Sequence, residues 1–536
     1  TKGTWYAHAS VGTLHVRPII DLRRGGAAKM RAIAEEAFEL VRRYKGAHSG
    51  EHGDGLVRSE FHEAMYGAPI VRAFEAVKDS FDPEGLFNPG KIVRPPRMDD
   101  RSLMRFPEDY ATPPVATALD WSDWGGLPAA VEMCNNNGEC RKFDAGTMCP
   151  SFRVTRDEAH VVRGRANTLR LALSGQLGAD GLASDEVAEA MELCVGCKGC
   201  RRECPTGIDM ARMKIEADAA RARRRGVALR ERLVASLPRW APWASRLAPL
   251  ANLRNRVPAL ARLGERWLGL AAARPLPEWR RDAFVDPPAP ASADLVLLVD
   301  TFTRWFEPGN AHAALAVLGR LGFSVRVATA DRPLCCGRTW LAAGMVDEAR
   351  AEQRRLVEAL APHAQAGLPI VGLEPSCLFT LKDELAAIVP GDEARRIGAR
   401  AMLLEEFLVA AHREGRIDAA AFAPLPGTTA LLHGHCHQKA FGAMGAVEAA
   451  LRLVPGLEVR TIASGCCGMA GSFGYEAEHH ATSMAMGELA LLPAMREAPA
   501  DAVLVADGTS CRAQVRDGAG REAVHVARVL ARSLGA

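Results

Sequence analysis

Short apolar segments alternate with amphipathic helical segments over residues 291–536. Strand-length apolar runs lie at 294–299, 323–328, 368–373, 429–433, 457–462 and 502–506, and helical patterns lie at 309–321 and 444–454. Strands that alternate with helices are typical of βαβ units with a parallel sheet. A Cys-Cys-Gly triplet follows the second strand of each half, and 131 residues separate Cys335 from Cys466. We therefore predict two copies of one α/β domain.

The preceding residues show helical patterns that irregular segments separate. Helical spacing of apolar positions predicts helices at 27–44 and 69–80, and a basic helix at 208–225. Prolines and charged residues at 94–128 predict an irregular linker. The fold class is therefore multidomain, helical in the middle and α/β at the C-terminus. The predicted boundaries are 1–93, 94–128 (linker), 129–225, 226–290 (helical, Pro-rich connector), 291–425 and 426–536.

Composition indicates the compartment more than the function. The 536 residues are 48% hydrophobic and 24% charged with a formal net charge of +3, and this balance predicts no nucleic-acid partner. Fourteen cysteines, mostly at metal-ligand spacings, indicate a reducing compartment. No apolar run approaches the roughly 20 residues that span a membrane. We expect a cytoplasmic homo-oligomer.

Two features qualify that expectation. Residues 231–290 place four tryptophans among prolines, leucines and arginines: Trp240, Trp243, Trp267 and Trp279. Such a segment can make peripheral contact with the inner face of the cell membrane, but we favour packing of one domain on another. The chain begins Thr1-Lys2-Gly3 without an initiator methionine or a targeting segment. We therefore expect it to be the C-terminal part of a longer protein.

A run of four cysteines indicates iron–sulfur chemistry. Cys194, Cys197, Cys200 and Cys204 stand at i, i+3, i+6 and i+10, and Pro205 follows the last. This is the bacterial ferredoxin spacing, in which three thiolates hold one cluster and the fourth turns toward a neighbouring cluster. A zinc knuckle is the alternative, but zinc ligands usually come as separated Cys-x-x-Cys pairs. The run predicts a protein that transfers electrons.

An earlier run has the same form with one ligand replaced. Cys134 and Cys140 take the first and third positions, Asn137 stands at the second, and Cys149-Pro150 ends the run. The ferredoxin rule predicts two clusters, a [4Fe-4S] cluster on one set of ligands and a [3Fe-4S] or [4Fe-4S] cluster on the other. The predicted sets are Cys149, Cys194, Cys197 and Cys200 for the first, and Cys134, Asn137, Cys140 and Cys204 for the second. One cluster beside a relic of another is the alternative.

Histidines and a glutamate near the N-terminus suggest a metal site. His8, His15 and Glu51 form an N,N,O set for a divalent ion such as Zn²⁺ or Mn²⁺, with positions open for substrate oxygens. His52 follows Glu51 in a glycine-dense loop and is suited to act as general base. The alternative is that these histidines only satisfy buried polar groups.

These motifs resemble the C-terminal domain of FAD-linked oxidases, which act on 2-hydroxy acids. The resemblance rests on the His8-x6-His15 pair, the loop Gly50-Glu51-His52-Gly53 and the closing Asn88-Pro89-Gly90-Lys91. It implies an α+β fold for the N-terminal part, in which His8, His15 and Glu51 hold the ion and His52 faces the flavin as base. It also implies FAD contacts at Gly53, Asn88 and Lys91, a substrate contact at Arg17, and an N-terminal FAD-binding domain as partner.

Cysteines follow the predicted strands of both C-terminal halves. The second half has Cys436, Cys466, Cys467 and Cys511, and the first has Cys335, Cys336 and Cys377, with Phe302 where a leading cysteine would stand. These halves resemble the CCG domain of heterodisulfide reductase and of related iron–sulfur subunits. The resemblance implies a noncubane iron–sulfur cluster or zinc, which we expect in the second half.

The order of the three parts resembles the fused flavin/iron–sulfur D-2-hydroxy acid dehydrogenases. This resemblance implies oxidation of a small 2-hydroxy acid, D-2-hydroxyglutarate before D-lactate or glycolate, with electrons passing to a quinone or a carrier protein. Two alternatives remain: a non-catalytic electron-transfer subunit, and a heterodisulfide-reductase-like enzyme. The loop at 50–55 and the segment at 88–91 argue against the first, because a pure relay needs neither, and the second would not need the set of His8, His15 and Glu51.

Overall fold

The chain divides into two compact units. A computed structural model describes residues 2–144 and 146–535, and the boundary between the units follows Thr112. Within the described residues, no helix has both the length and the apolar character needed to cross a bilayer.

The N-terminal unit combines a β-hairpin with helices. Strands β1 (Gly3–His8) and β2 (Thr13–Pro18) pair antiparallel, with Tyr6 opposite His15. Helices α1 (Gly26–Arg43), α2 (His62–Tyr66) and α3 (Ala68–Phe81) follow, so the helices predicted at 27–44 and 69–80 are confirmed. The hairpin was not predicted, because most of its residues are exposed and β1 lacks a regular alternation of apolar residues.

The second unit opens with a helical part around one apolar core. Its helices are α4 (Leu127–Glu132), α5 (Pro150–Thr155), α6 (Val162–Leu173), α7 (Asp185–Glu192), α8 (Gly199–Glu203) and α9 (Met210–Arg225). Helices α4 and α7 each lead directly into a cysteine loop. Helix α9 confirms the basic helix predicted at 208–225.

Short helices make up the connector. They are α10 (Leu229–Ala235), α11 (Leu237–Arg246), α12 (Ala248–Ala251), α13 (Leu253–Arg256) and α14 (Pro258–Leu268). Trp240 and Trp279 pack together, and Trp279 also contacts Phe306, as expected for domain packing. Trp243 and Trp267, in contrast, are 64% and 75% exposed, so packing alone does not account for this segment.

The rest of the chain forms two parallel sheets with helices between the strands. The first half contains β3 (Leu295–Leu298), α15 (Thr301–Trp305), α16 (Pro308–Arg320), β4 (Val325–Val327), α17 (Arg338–Leu341), α18 (Val346–Gln365), β5 (Ile370–Gly372), α19 (Pro375–Lys382), α20 (Glu384–Ile388), α21 (Asp392–Arg400), β6 (Ala401–Leu403) and α22 (Leu404–Arg413). The second half contains β7 (Thr429–His433), α23 (Cys436–Ala440), α24 (Met444–Leu451), β8 (Glu458–Thr461), α25 (His480–Glu488), α26 (Leu491–Glu497), β9 (Val503–Ala506), α27 (Thr509–Ala519) and α28 (Val526–Ser533). All six predicted strands are confirmed, and β6 is an addition.

The two sheets have equivalent strand orders. In the described residues the first sheet runs β4-β3-β5-β6 and the second runs β8-β7-β9, with parallel pairing throughout. Each half thus begins on a central strand, adds one neighbour, and then crosses to the other side. Apolar residues of both halves share a core in which α16 packs on α28 and α22 packs on α24. A crevice at the carboxyl ends of the strands is the expected ligand position in such a sheet.

Candidate functional site

The four cysteines of the second half meet at one sheet edge. Cys436 begins α23 just after β7, Cys466 and Cys467 follow β8, and Cys511 lies in α27 after β9. Because the strands are parallel, their carboxyl ends bring these residues together. The Cys466 thiol contacts those of Cys436 and Cys467, and Cys467 also contacts Cys511. All four thiols are buried, as a metal-binding set requires.

Neighbouring groups favour the thiolate at two of these cysteines. A hydrogen bond from Cys466 and the nearby His435 lower the pKa of Cys436 well below its usual value, against the effect of burial. Burial opposes the charged form of His435, but the Cys436 thiolate raises the pKa of His435 to about 9. Hydrogen bonds from Cys466 and Cys511 likewise lower the pKa of Cys467. Thiolate is the form that binds metal, so this set fits a metal or cluster.

The first half holds three thiols and an aromatic ring. Cys336 contacts both Cys335 and Cys377, and its side chain shares an apolar cluster with Cys377 and Phe302. The neighbouring Cys336 and burial raise the pKa of Cys335. This half therefore offers neutral thiols in an apolar setting, one ligand short of the second half.

The ferredoxin-like loop brings its predicted ligands together. Val162 N–H donates to Cys149 Sγ at 3.2 Å, and the N–H groups of Gly199 and Met210 donate to Cys197 and Cys200. Burial raises the pKa of Cys149, and the nearby Cys200 raises it further, so the two sulfurs are neighbours. N–H groups directed at sulfur stabilise the charge of an iron–sulfur cluster. The donor set and its hydrogen bonds therefore fit such a cluster.

The earlier loop has the same backbone shape. Positive φ values occur at Asn136 (62°) and Gly138 (81°), and at the equivalent Gly196 (58°) and Lys198 (57°). The equivalence places Asn137 at the position of the second cysteine. The Asn137 carboxamide is exposed and accepts a hydrogen bond from the Glu139 N–H at 2.9 Å.

The other ligands predicted for this cluster are Cys134, Cys140 and Cys204. Burial raises the pKa of Cys140, and the nearby Cys134 adds to the effect. The Cys204 sulfur lies 3.3 Å from the Thr206 hydroxyl.

The cluster loop lies directly against the thiols of the second α/β half. Cys197, Cys436 and Cys466 share one buried cluster. His437 Nε2 lies 3.1 Å from the carbonyl oxygen of Gly196, within the loop. This adjacency, between residues more than 200 positions apart, has no signal in the sequence. It makes the two sulfur sets neighbours.

In the N-terminal unit, Glu51 contacts all three predicted histidines. Its carboxylate oxygens lie 3.3 Å from His8 Nδ1, 2.9 Å from His15 Nε2 and 3.3 Å from His52 Nε2. Desolvation opposes ionisation of Glu51, but the hydrogen bond with His15 and the other histidines hold its pKa below the usual value. Ligand atoms of His8, His15 and Glu51 all lie within 4.8 Å of one another. The set fits a divalent ion, and His52 is 72% exposed beside it.

Of the other predicted contacts, Arg17 lies close to this set. The Arg17 guanidinium lies 5.0 Å from the ring centre of Tyr6, which stacks on His15. Lys91 Nζ donates to Asn88 Oδ1 at 3.1 Å, and Gly53 has a φ of 73°.

Sequence reasoning missed several residues of this unit. They are Tyr6, His48, Asp54 and His62. His48 and Asp54 lie in the glycine-dense loop, and this loop was the only sequence feature that could have indicated them.

Comparison with known proteins identifies the class of each part. Residues 1–92 match the C-terminal domain of FAD linked oxidases, and residues 130–208 match the 4Fe-4S dicluster domain. Residues 300–382 and 430–516 each match the cysteine-rich domain. The predicted domain types and the duplication are thereby confirmed. The chain joins an FAD-linked oxidase domain to iron–sulfur and cysteine-rich domains.

Individual relatives share this combination or part of it. The chain is 28% identical to D-2-hydroxyglutarate dehydrogenase of Escherichia coli (strain K12) and 29% identical to that of Pseudomonas putida, over 95% of this chain and 54% of each relative. It is also 28% identical to one component of the anaerobic glycerol-3-phosphate dehydrogenase of Escherichia coli (strain K12), over 44% of this chain and 57% of that protein. The chain thus spans about half the length of the two D-2-hydroxyglutarate dehydrogenases.

Proposed function

We propose that this chain is part of a flavin- and iron–sulfur-dependent dehydrogenase that oxidises a D-2-hydroxy acid to the 2-oxo acid. D-2-hydroxyglutarate is the favoured substrate because two relatives over 95% of the chain carry that activity in their names. D-lactate and glycolate are the next candidates. Electrons would leave for a quinone or a carrier protein, and an FAD-binding domain would complete the flavin site.

One observation carries the proposal: Glu51 joins His8, His15 and His52 in one site. A pure electron-transfer subunit has no use for two imidazoles and a carboxylate beside a third, exposed imidazole. A 2-hydroxy acid needs both features, because its carboxylate and hydroxyl chelate an ion while the hydroxyl loses a proton.

Each residue has a distinct task in this proposal. His8, His15 and Glu51 hold the ion, Arg17 pairs with the substrate carboxylate, and His52 takes the hydroxyl proton. When bound, the ion polarises the substrate oxygens and FAD accepts the hydride from C2. Gly53, Asn88 and Lys91 contact the flavin.

The cysteine sets supply the onward path. We assign one cluster to Cys149, Cys194, Cys197 and Cys200. We assign the other, of three or four irons, to Cys134, Asn137, Cys140 and Cys204. The thiols of the second α/β half would hold zinc or a noncubane cluster, and the contact of Cys436 with Cys197 supports a role at the end of the path.

We also propose peripheral contact with an anionic bilayer through α11–α14. Trp243, Leu250 and Trp267 are all more than 60% exposed, and arginines outnumber acidic residues by eleven to five over 226–290. Exposed tryptophan with arginine suits the interface of an anionic membrane. The double variant Trp243→Ala/Trp267→Ala should lower cosedimentation with anionic vesicles several-fold, and neutral vesicles should bind both proteins weakly. Equal binding of variant and parent would contradict this contact.

The catalytic proposal is tested on the complete flavoprotein with an artificial acceptor. His52→Gln should lower kcat on the order of 10²–10⁴-fold, as for a lost general base, while divalent-ion content stays unchanged. His15→Ala should instead remove the ion. The three candidate acids are compared by kcat/KM. Full activity of His52→Gln with an empty His8/His15/Glu51 site would overturn the mechanism.

A further inference from the structure

We propose that His48, Asp54 and His62 form a second divalent-metal site in the N-terminal unit, separate from the His8/His15/Glu51 set. The ion it fits is a first-row transition ion of the Zn²⁺ class, held by two imidazoles and one carboxylate. The proposal does not depend on the substrate or on the proposed reaction.

The ligand atoms of the three side chains lie close enough together to share one ion. Asp54 Oδ2 lies 2.8 Å from His62 Nε2, and Asp54 Oδ1 lies 3.1 Å from His48 Nε2. One ligand atom from each residue lies within 4.8 Å of the others. Nitrogen and oxygen ligands about 2.1 Å from a tetrahedral zinc ion are about 3.4 Å apart. The two observed separations are shorter than this, so Asp54 and the two histidines would move apart by a few tenths of an ångström to hold such an ion with three of its four ligands.

The hydrogen bonds of His62 direct a lone pair toward Asp54. His62 Nδ1 lies 3.1 Å from the carbonyl oxygen of Ile92, which can only accept, so Nδ1 carries the hydrogen. In the neutral ring, Nε2 then presents its lone pair to the Asp54 carboxylate. Two lone pairs at 2.8 Å require a proton or a metal ion between them. A metal-bound histidine typically donates its other N–H to a backbone carbonyl in this way.

Within the described residues, the ring nitrogens of the second imidazole, His48, have no hydrogen-bond partner. The His48 side chain is completely buried. Within residues 2–144 and 146–535, His48 Nδ1, His48 Nε2 and Asp54 Oδ1 are buried atoms without a hydrogen-bond partner. The 3.1 Å approach of His48 to Asp54 therefore has the distance of a hydrogen bond without its alignment. A buried polar atom without a partner is destabilising, and an ion shared by the two groups would give these atoms a partner.

An aromatic shell surrounds the triad. Phe38 lies 5.0 Å from His48, Tyr66 lies 5.5 Å from His62, and Phe74 lies 6.1 Å from His62, measured between ring centres. The two imidazoles are themselves stacked, 5.7 Å apart and nearly parallel. The buried position of both imidazoles beside these rings strengthens the attraction between ligand and ion.

The position of the triad gives the ion a structural task. Asp54 follows Glu51 and His52 in the same loop, and Ser49 closes this loop with a hydrogen bond to the Gly53 carbonyl. An ion held by His48, Asp54 and His62 would fasten both ends of the loop to α2. The loop carrying Glu51 and His52 would then be positioned before substrate arrives.

The test is a count of divalent ions on the full chain, with the predicted substrate-site ion removed by mutation. After loading with Zn²⁺ and dialysis, the His15→Ala chain should retain one ion more than the His15→Ala/His62→Gln chain, at equal iron content. Glutamine keeps a donor for the Ile92 carbonyl but is a poor zinc ligand. Zinc X-ray absorption of the His15→Ala chain should include a shell of nitrogen and oxygen neighbours at about 2.0–2.1 Å, distinct from zinc–sulfur distances of about 2.3 Å.

Either of two results overturns the proposal. The first is equal zinc content in the two chains with both folded. The second, which needs no variant of the triad, is an X-ray absorption spectrum of His15→Ala with no nitrogen and oxygen shell. In both cases the triad is a hydrogen-bonded His–Asp–His cluster with a proton where the ion was proposed. The zinc measurements test only the second metal site, and the turnover of His52→Gln tests only the proposed reaction. Failure of one proposal is therefore distinguishable from failure of the other.

Discussion

Asn137 stands at the position that Cys197 takes in the second cysteine loop, so the first loop carries a carboxamide where the second carries a thiol. The backbone of the two loops agrees at two positions of positive φ, yet the Asn137 carboxamide is exposed and bonded to the Glu139 N–H. A cluster on this loop would have one weak or missing protein ligand. We therefore expect it to be the more labile of the two clusters.

Asn137→Cys should convert that cluster to a stable four-iron form with a lower reduction potential, because thiolate adds negative charge. EPR spectra of the reduced protein and a redox titration provide the measurement. Ser122→Cys, which adds an exposed thiol elsewhere in the helical part, is the control and should change neither. Unchanged spectra in Asn137→Cys would show that this position does not face the cluster.

At the level of secondary-structure elements, an ion pair between Glu307 and Arg512 joins the two α/β halves. Glu307 precedes α16 in the first half, and Arg512 lies in α27 of the second. Arg512 Nε donates to Glu307 Oε1 at 2.9 Å, and a second guanidinium nitrogen contacts Oε2. Burial opposes ionisation of Glu307, but Arg512 lowers its pKa to about 2 from the usual 4.5. The pair therefore links stability to pH.

The sign follows from the depressed pKa of Glu307. Its contribution is complete above the unfolded value, near pH 4.5, and is lost as pH falls toward 2. Glu307→Gln should lower the free energy of unfolding by about 3 kcal/mol at pH 7, and the difference should shrink below about pH 4.5. Urea unfolding at several pH values measures it. Glu488→Gln, which breaks an exposed pair with Arg496, should cost less than about 1 kcal/mol throughout. A pH-independent deficit in Glu307→Gln would contradict this account.

Across the second unit, Lys198 joins the cluster loop to the first α/β half. It lies between Cys197 and Cys200, is completely buried, and contacts Asp383 at 2.6 Å and Glu384 at 2.8 Å. Together with the contact of Cys197 and Cys436, this places the loop between both halves. The position of the cluster thus depends on the α/β domain as well as on its own helices.

Lys198→Met should destabilise the protein by up to about 3–5 kcal/mol, because it removes the buried cation that Asp383 and Glu384 share and leaves them only Arg201 and Arg338 as partners. We also expect iron to be lost from the cluster held by that loop. Thermal unfolding and iron content measure the two effects. Lys142→Met, which removes a partly exposed contact with Glu139 and Glu203, is the control and should cost about 1 kcal/mol or less. Normal iron content and stability in Lys198→Met would mean that the buried charges are dispensable.

Local patterns in the sequence determined much of this protein. The cysteine spacing, the repeated Cys-Cys-Gly triplet and the strand–helix alternation each depend on neighbours in the chain. They therefore predicted the domain types, the duplication, six strands and five of the helices. The set of His8, His15 and Glu51 could also be predicted from the sequence, because its members lie in two short motifs.

Only the tertiary structure decided what depends on packing between distant residues. The contact of Cys197 with Cys436, the burial of Lys198 against Asp383 and the pair of Glu307 with Arg512 join positions more than 180 residues apart, which no local spacing encodes. The His48/Asp54/His62 triad spans only 15 residues, but its members follow no known spacing. They meet because the loop after α1 folds back on α2, where His62 and the aromatic shell exclude water.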